Sequence, residues 1–187
     1  MTVGGLILAA GEGRRFGGTK QLADLRGRPL LSYAVEAMLA VPAVAPVVVV
    51  LGHAADEIRS AVAFDGAETV VCAGWQEGQS ASLRCGIDAL GAVDAAVIML
   101  GDQPFITPQV IAAVLDQLDR HEAVRATYGG VPGHPVGLGR RLLARAAELR
   151  GDVGFRDLLA GEPVHAFEAS HLCDPTDIDT REELAGR

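Results

Sequence analysis

Val47-Val48-Val49-Val50-Leu51 is an unbroken apolar run of four valines and a leucine. β-Branched side chains without polar alternation fit a strand buried on both faces, the environment of a parallel sheet covered by helices. Two further runs, Val3 to Leu8 and Ala95 to Leu100, have the same character. Helix-like segments are expected at Pro29 to Leu39, Asp56 to Val62, Ser80 to Leu90 and Pro108 to Leu118, the last capped by Thr107. Thr69 to Cys72 and Pro163 to Phe167 read as shorter strands. Ala123 to Tyr128 and Pro135 to Leu138 read as a pair about a turn at Gly129 to Gly133. Arg140 to Leu149 and Val153 to Leu159 read as helices, the second capped by Asp152. Thr180 with Glu183 predicts a capping box before a final helix. The expected fold class is therefore α/β: one Rossmann-like domain over residues 1–187, with a mostly parallel mixed sheet and helices on both faces.

Ligands of such sheets bind beyond the carboxyl ends of the strands. The first strand runs into Leu8-Ala9-Ala10-Gly11-Glu12-Gly13-Arg14-Arg15-Phe16-Gly17-Gly18-Thr19-Lys20, where small residues are followed by cations. Glycines let a phosphate approach backbone N–H groups closely, and Arg15 and Lys20 can neutralise its charge. The loop is not a P-loop, because Lys20 follows Thr19 and precedes Gln21. Nor is it a dinucleotide fingerprint: the third glycine falls one position late, and Leu30 to Tyr33 carry no acid for a ribose. The strand Ala95 to Leu100 ends in Gly101-Asp102-Gln103-Pro104, which the topology sets opposite that loop. A carboxylate facing a triphosphate suits Mg²⁺, which takes one or two carboxylates and fills its shell with water and phosphate oxygens. No G-x-S-x-G and no Cys–His neighbour is present, so direct displacement on phosphorus is expected.

The net charge of −8 gives no general attraction for nucleic acid polymers. Cys72, Cys85 and Cys173 are widely spaced and odd in number, which argues against a disulfide framework and for a reducing, cytoplasmic setting. No basic leader precedes the first apolar run, and no stretch approaches a membrane span.

Leu8 to Lys20 resembles the L-A-A-G-x-S-x-R-M-G-x-x-K signature of the MobA-like NTP transferase superfamily, with Gly13 at the serine and Phe16 at the methionine. Gly27 to Leu31 is similar to G-K-P-L-L, and Leu100 to Pro104 matches L-G-D-Q-P. Gly74 to Arg84 resembles W-x-x-G-M-S-S-S-L-R, with Gln79 at the methionine. Gly133-His134-Pro135-Val136, Gly151 to Arg156 and Asp177 to Thr180 resemble G-H-P-V, G-D-x-G-A-R and D-I-D-T. The combination is most like the molybdenum cofactor cytidylyltransferase branch.

The resemblance implies a nucleotidyltransferase. Ala9, Ala10 and Gly11 would lie near base and ribose, with Leu8, Gly13 and Gly101 completing the cradle. Arg15 and Lys20 would hold the β- and γ-phosphates, and Asp102 would bind Mg²⁺. A second metal carboxylate would be Asp177 or Asp179. Gln79, Ser80, Ser82 and Leu83 would lie along the nucleobase, CTP being expected and GTP or another NTP the alternative. A molybdopterin-type phosphate would be the acceptor, with another phosphorylated small molecule such as a sugar phosphate as the alternative, met by His134, Pro135, Asp152 and Arg156, and a molybdenum hydroxylase as a partner. A capping or turn role competes for His134 and Asp152. A non-catalytic chaperone that binds cofactor is the reading from another class.

Overall fold

A computed structural model describes residues 1–150 and 155–187, the side chain of Arg156 excepted. β1 (Val3–Ala9) is followed by the two-residue strands β2 (Asp24–Leu25) and β3 (Arg28–Pro29), then α1 (Leu30–Leu39), β4 (Val44–Leu51), α2 (Ala55–Ala61) and β5 (Glu68–Val71). α3 (Gln79–Leu90), β6 (Ala95–Leu100) and α4 (Pro108–Leu115) complete the first half. The second half holds β7 (Ala123–Tyr128), β8 (Val131–Gly139), α5 (Arg140–Glu148), α6 (Phe155–Leu158), β9 (His165–Glu168) and α7 (Arg181–Ala185).

Among the described residues seven strands form one sheet in the order β5-β4-β1-β6-β8-β7-β9. β5, β4, β1 and β6 are mutually parallel, while β8 runs antiparallel to both β6 and β7, and β9 lies parallel to β7. The sheet is mixed and mostly parallel, as expected. Every residue of β1, which lies between β4 and β6, is buried.

Side-chain alternation along the strands divides the core in two. Ile7, Val49 and Met99 pack with Leu31, Met38 and Ile111 on one face. Leu6, Leu8, Val48, Val50 and Ile98 pack with Leu83, Leu138 and Leu142 on the other. Each such aliphatic side chain, fully buried, contributes about 1.5–3 kcal/mol. α3 approaches the sheet closely because Gly86 has no side chain: a Cβ there would lie 2.3 Å from Leu6 Cδ1 and 2.8 Å from Val50 Cγ2.

Several sequence expectations shift. Pro29 is the N-cap of α1 and pairs with Asp24 in the small β2–β3 ladder, rather than occupying the first helical turn. That ladder is too short to leave a periodic signal. α4 stops at Leu115; Thr107 is its N-cap residue, as expected, but the hydroxyl donates to the Leu172 carbonyl at 3.0 Å and makes no cap bond to the helix. β8 begins at Val131, so the hairpin turn contracts to Gly129 and Gly130, both with positive φ. The expected cap at Asp152 lies outside the described residues. The capping box of Thr180 and Glu183 is present. No described helix is long and apolar enough to cross a membrane.

Candidate active site

The chain leaves β1 at Ala9 and turns back on itself at once. Gly13 has φ +69°, and a Cβ there would lie 2.5 Å from the Gly18 carbonyl, so a side chain would force the two limbs apart. The Gly13 carbonyl accepts from the amides of Phe16 and Gly17, each at 3.0 Å. Phe16 anchors the loop by packing with Leu25, Leu30 and Ile178. Beneath it, buried Gln21 donates its amide to the Ala9 carbonyl at 2.7 Å and the Gly11 carbonyl at 2.9 Å. Two peptide planes of the cradle are thereby fixed by one side chain. Sequence reasoning passed over Gln21. The available signal was a polar residue directly after Lys20, where the loop's backbone carbonyls need a donor.

Lys20 is the centre of the charge arrangement. Its ammonium donates to Asp102 Oδ2 at 2.6 Å and to Asp179 Oδ1 at 2.8 Å, and its side chain is only 12% exposed. Burial pulls its pKa down, but the charge and hydrogen bonds of Asp102 and Asp179 outweigh that and hold it above the ordinary lysine value. The Lys20 hydrogen bond holds Asp179 below the usual carboxylate range against a smaller burial effect. Arg15 reaches the other oxygen of Asp179 at 2.9 Å from an exposed position. Arg15, Lys20, Asp102 and Asp179 all line one cavity of about 240 Å³.

The C-terminal segment is stitched to the turn after β6: the Ile178 amide donates to the Asp102 carbonyl at 3.0 Å, and Ile178 is buried. Asp179 therefore joins Lys20, while Asp177 faces Gln103 and a separate cavity. Burial, then the charge of Asp102, pushes Asp177 up to about 6, with a Gln103 hydrogen bond opposing. Among the described residues no group of three or more His, Cys, Asp or Glu has a metal-holding arrangement. A magnesium seat needs fewer, since water and phosphate oxygens finish the shell. Asp102 Oδ1 is buried without a partner, and an ammonium already bridges Asp102 to Asp179. Those two carboxylates fit a divalent ion.

A cleft of about 450 Å³ opens beside this centre. Leu8, Ala10, Gly11 and Gly13 form one wall, Gln79 and Ser82 the other, and Asp102 borders both. Glu12, Arg14, Trp75 and Gln76 also line it, which the sequence did not foretell. Trp75 is seated by Gly52, where a Cβ would lie 2.6 Å from the indole Cγ and 2.6 Å from the Ala10 carbonyl oxygen. Ala9, Gly101 and Lys20 line a neighbouring recess of about 100 Å³ with Gln21. Ser80 and Leu83 are buried against the sheet and do not line the cleft. Arg84 is neither solvated nor free for a ligand: it bonds Ser80 Oγ at 3.2 Å, the Leu149 carbonyl, and Glu77 at 3.5 Å.

A further cavity, of about 370 Å³, is lined by Leu100, Gln103, Arg125, Tyr128, His134 and Asp177 among others. Burial first, and then the charge of Arg125, pushes His134 down to about 4, so it is neutral near pH 7. Its Nε2 has no hydrogen-bond partner, and its carbonyl accepts from the Tyr128 hydroxyl at 2.6 Å. Pro135 is buried behind it. Asp152 and the side chain of Arg156 lie outside the described residues.

A glycine-bearing loop after the first strand, two acids gathered on a lysine, and a cleft at the carboxyl ends of parallel strands define an α/β nucleotidyltransferase. Residues 5–169 match the model of the MobA-like NTP transferase domain, and the chain belongs to that family. It is 31% identical over 193 residues to nicotine blue oxidoreductase of Paenarthrobacter nicotinovorans, covering 97% of this chain and 94% of that one. It is 34% identical over 166 residues to the bifunctional protein GlmU of Sorangium cellulosum, covering 84% of this chain but only 35% of GlmU. The crystal structure of Rv0371c from Mycobacterium tuberculosis H37Rv superposes with a TM-score of 0.89 at 30% identity, covering 100% of this chain and 96% of that one. The same protein has been solved in complex with manganese, with a TM-score of 0.80 at 29% identity and coverage of 100% and 97%.

Proposed function

We propose that this chain, acting as one domain, transfers CMP from CTP to the terminal phosphate of a molybdopterin-type acceptor and releases pyrophosphate. The observation that carries this reading is the Lys20–Asp102–Asp179 cluster: Asp102 lines the 450 Å³ cleft, and the neighbouring residues Gln103 and Asp177 line the 370 Å³ cavity. The cleft takes base and ribose against Gln79 and Ser82. The loop amides, Arg15 and Lys20 take the β- and γ-phosphates. The cavity around His134 and Asp177 takes the acceptor, presenting its phosphate to the α-phosphorus. An acceptor phosphate oxygen forms the new P–O bond as the α–β bridge breaks. The acceptor phosphate is already ionised, so no general base is needed. Negative charge grows on the departing pyrophosphate, where Arg15 and Lys20 neutralise it, and the rest is alignment.

Asp102 and Asp179 would hold Mg²⁺, which supplies further positive charge to the triphosphate. The acid beside Gln103 is thus left to the acceptor, and Asp179 is favoured over Asp177 as the second metal carboxylate. The unpaired cysteines fit a cytoplasmic setting in which the product passes to a molybdenum hydroxylase.

Pyrophosphate release measured with CTP, GTP, ATP and UTP, each with and without molybdopterin, tests this. Acceptor-dependent release from CTP is expected. Release from GTP or another nucleotide instead reassigns the base, and tight binding without turnover makes the chain a cofactor chaperone. The name of the Paenarthrobacter relative supplies a control: reduction of nicotine blue, expected to stay at background.

A further inference from the structure

The Lys20 ammonium lies where a divalent ion shared by Asp102 and Asp179 would have to sit. It touches one oxygen of each carboxylate, at 2.6 and 2.8 Å, and is largely shielded from water. Magnesium requires oxygen ligands at about 2.0–2.1 Å. An ammonium and a dication cannot share so small a gap, because like charges at that distance in a partly buried site repel strongly. Lys20 must therefore withdraw before the ion enters.

Its routes of withdrawal are limited. The recess of about 100 Å³ beside it is bordered by Ala9, Leu30 and Gly101 and offers no other carboxylate than Asp102. The cavity of about 240 Å³ is bordered by Arg14 and Arg15, which repel a third cation unless an anion lies among them. A triphosphate resting on the loop is such an anion. Meanwhile Asp102 Oδ1 has no partner, so the ammonium satisfies the acid pair incompletely and is suited to be exchanged.

We propose that Lys20 is a resident counter-cation that closes the Asp102–Asp179 pair to divalent ions until a nucleoside triphosphate draws its ammonium away. This rests on the nucleotide and metal reading above and adds to it an order: the ion enters with the nucleotide, not ahead of it. By linkage, each ligand then raises the affinity of the other by the same factor.

The test is binding of Mn²⁺ alone, followed by loss of the free-ion electron paramagnetic resonance signal, with and without α,β-methylene-CTP. Wild-type protein is expected to bind Mn²⁺ weakly by itself and at least about tenfold more tightly with the analogue, within the usual range of coupling. Lys20→Met is expected to bind Mn²⁺ at least about tenfold more tightly than wild type without nucleotide, and to gain little from the analogue. Tight binding to nucleotide-free wild type overturns the proposal without recourse to any variant. So does Lys20→Met binding no tighter than wild type while its thermal unfolding remains cooperative. The double variant Lys20→Met/Asp179→Asn should lose the gained affinity. If it keeps that affinity, the ion sits elsewhere, and both the acid-pair assignment and the exchange at that pair are overturned.

Discussion

Asp102, in the turn after β6, and Asp179, in the C-terminal segment, accept hydrogen bonds from the same Lys20 ammonium, at 2.6 and 2.8 Å. Asp177, only two residues before Asp179, is held instead beside Gln103. The two neighbouring acids therefore have different surroundings, and different effects are expected from replacing them. Asp179→Asn is expected to lower acceptor-dependent pyrophosphate release by about 10²-fold, the scale of losing one well-placed charge contact at a reacting phosphate. Asp177→Asn should instead raise the KM for acceptor while leaving nucleotide KM unchanged. Steady-state kinetics on both variants distinguishes these outcomes.

Gln21 supports the cradle from below. Gln21→Leu removes both donors to the Ala9 and Gly11 carbonyls and leaves them facing an apolar group. The buried Ala9 carbonyl loses a partner at a cost of about 1–3 kcal/mol, whereas Gly11 is exposed and its carbonyl can turn to water. The expected results are a lower unfolding free energy and a weaker Kd for CTP, read by denaturant titration and calorimetry. Unchanged nucleotide affinity would show that the loop holds its shape without this brace.

His134 gives stability a defined pH response. Unfolded, it takes a proton near the ordinary histidine value of 6.5; folded, it does so only at about 4. Between these values the unfolded chain binds more protons, so this stabilising contribution is complete above pH 6.5 and is lost as pH falls towards 4. The slope for one site is at most about 1.4 kcal/mol per pH unit. Between pH 7.5 and 5.0, wild type should lose about 2 kcal/mol more than His134→Gln, measured by denaturant unfolding.

Gly86 sets how closely α3 lies on the sheet. Gly86→Ala must displace Leu6 or Val50, an overpacking expected to cost about 1–3 kcal/mol. Because Gln79 and Ser82 sit on the same helix, nucleotide affinity should fall along with the melting temperature.

The sequence made the sheet legible where apolar runs were long: β1, β4 and β6 are set by their own burial, whatever their partners. The loop and Asp102 were legible because chemistry and topology pointed to the same place. What stayed hidden depends on contacts between distant residues. The Asp177-Ile178-Asp179 spacing sets both acids on the site side of a buried isoleucine, so local pattern cannot choose between them. The choice is made by Lys20, 159 residues away from Asp179. Ser80 and Leu83 share a motif with Gln79 and Ser82, yet helical geometry turns them inward. The chain passes from the second half of the sheet back to the first only through the C-terminal segment, which no periodicity announces.

That return path gives synthesis a direction. A chain that has emerged from the ribosome as far as β9 already owns every strand of its sheet and both walls of the cleft. It still lacks Asp179, so half of the acid pair is missing. Scaffold and acid pair thus come from different stretches of the chain: the described strands all precede the residue that arms the site.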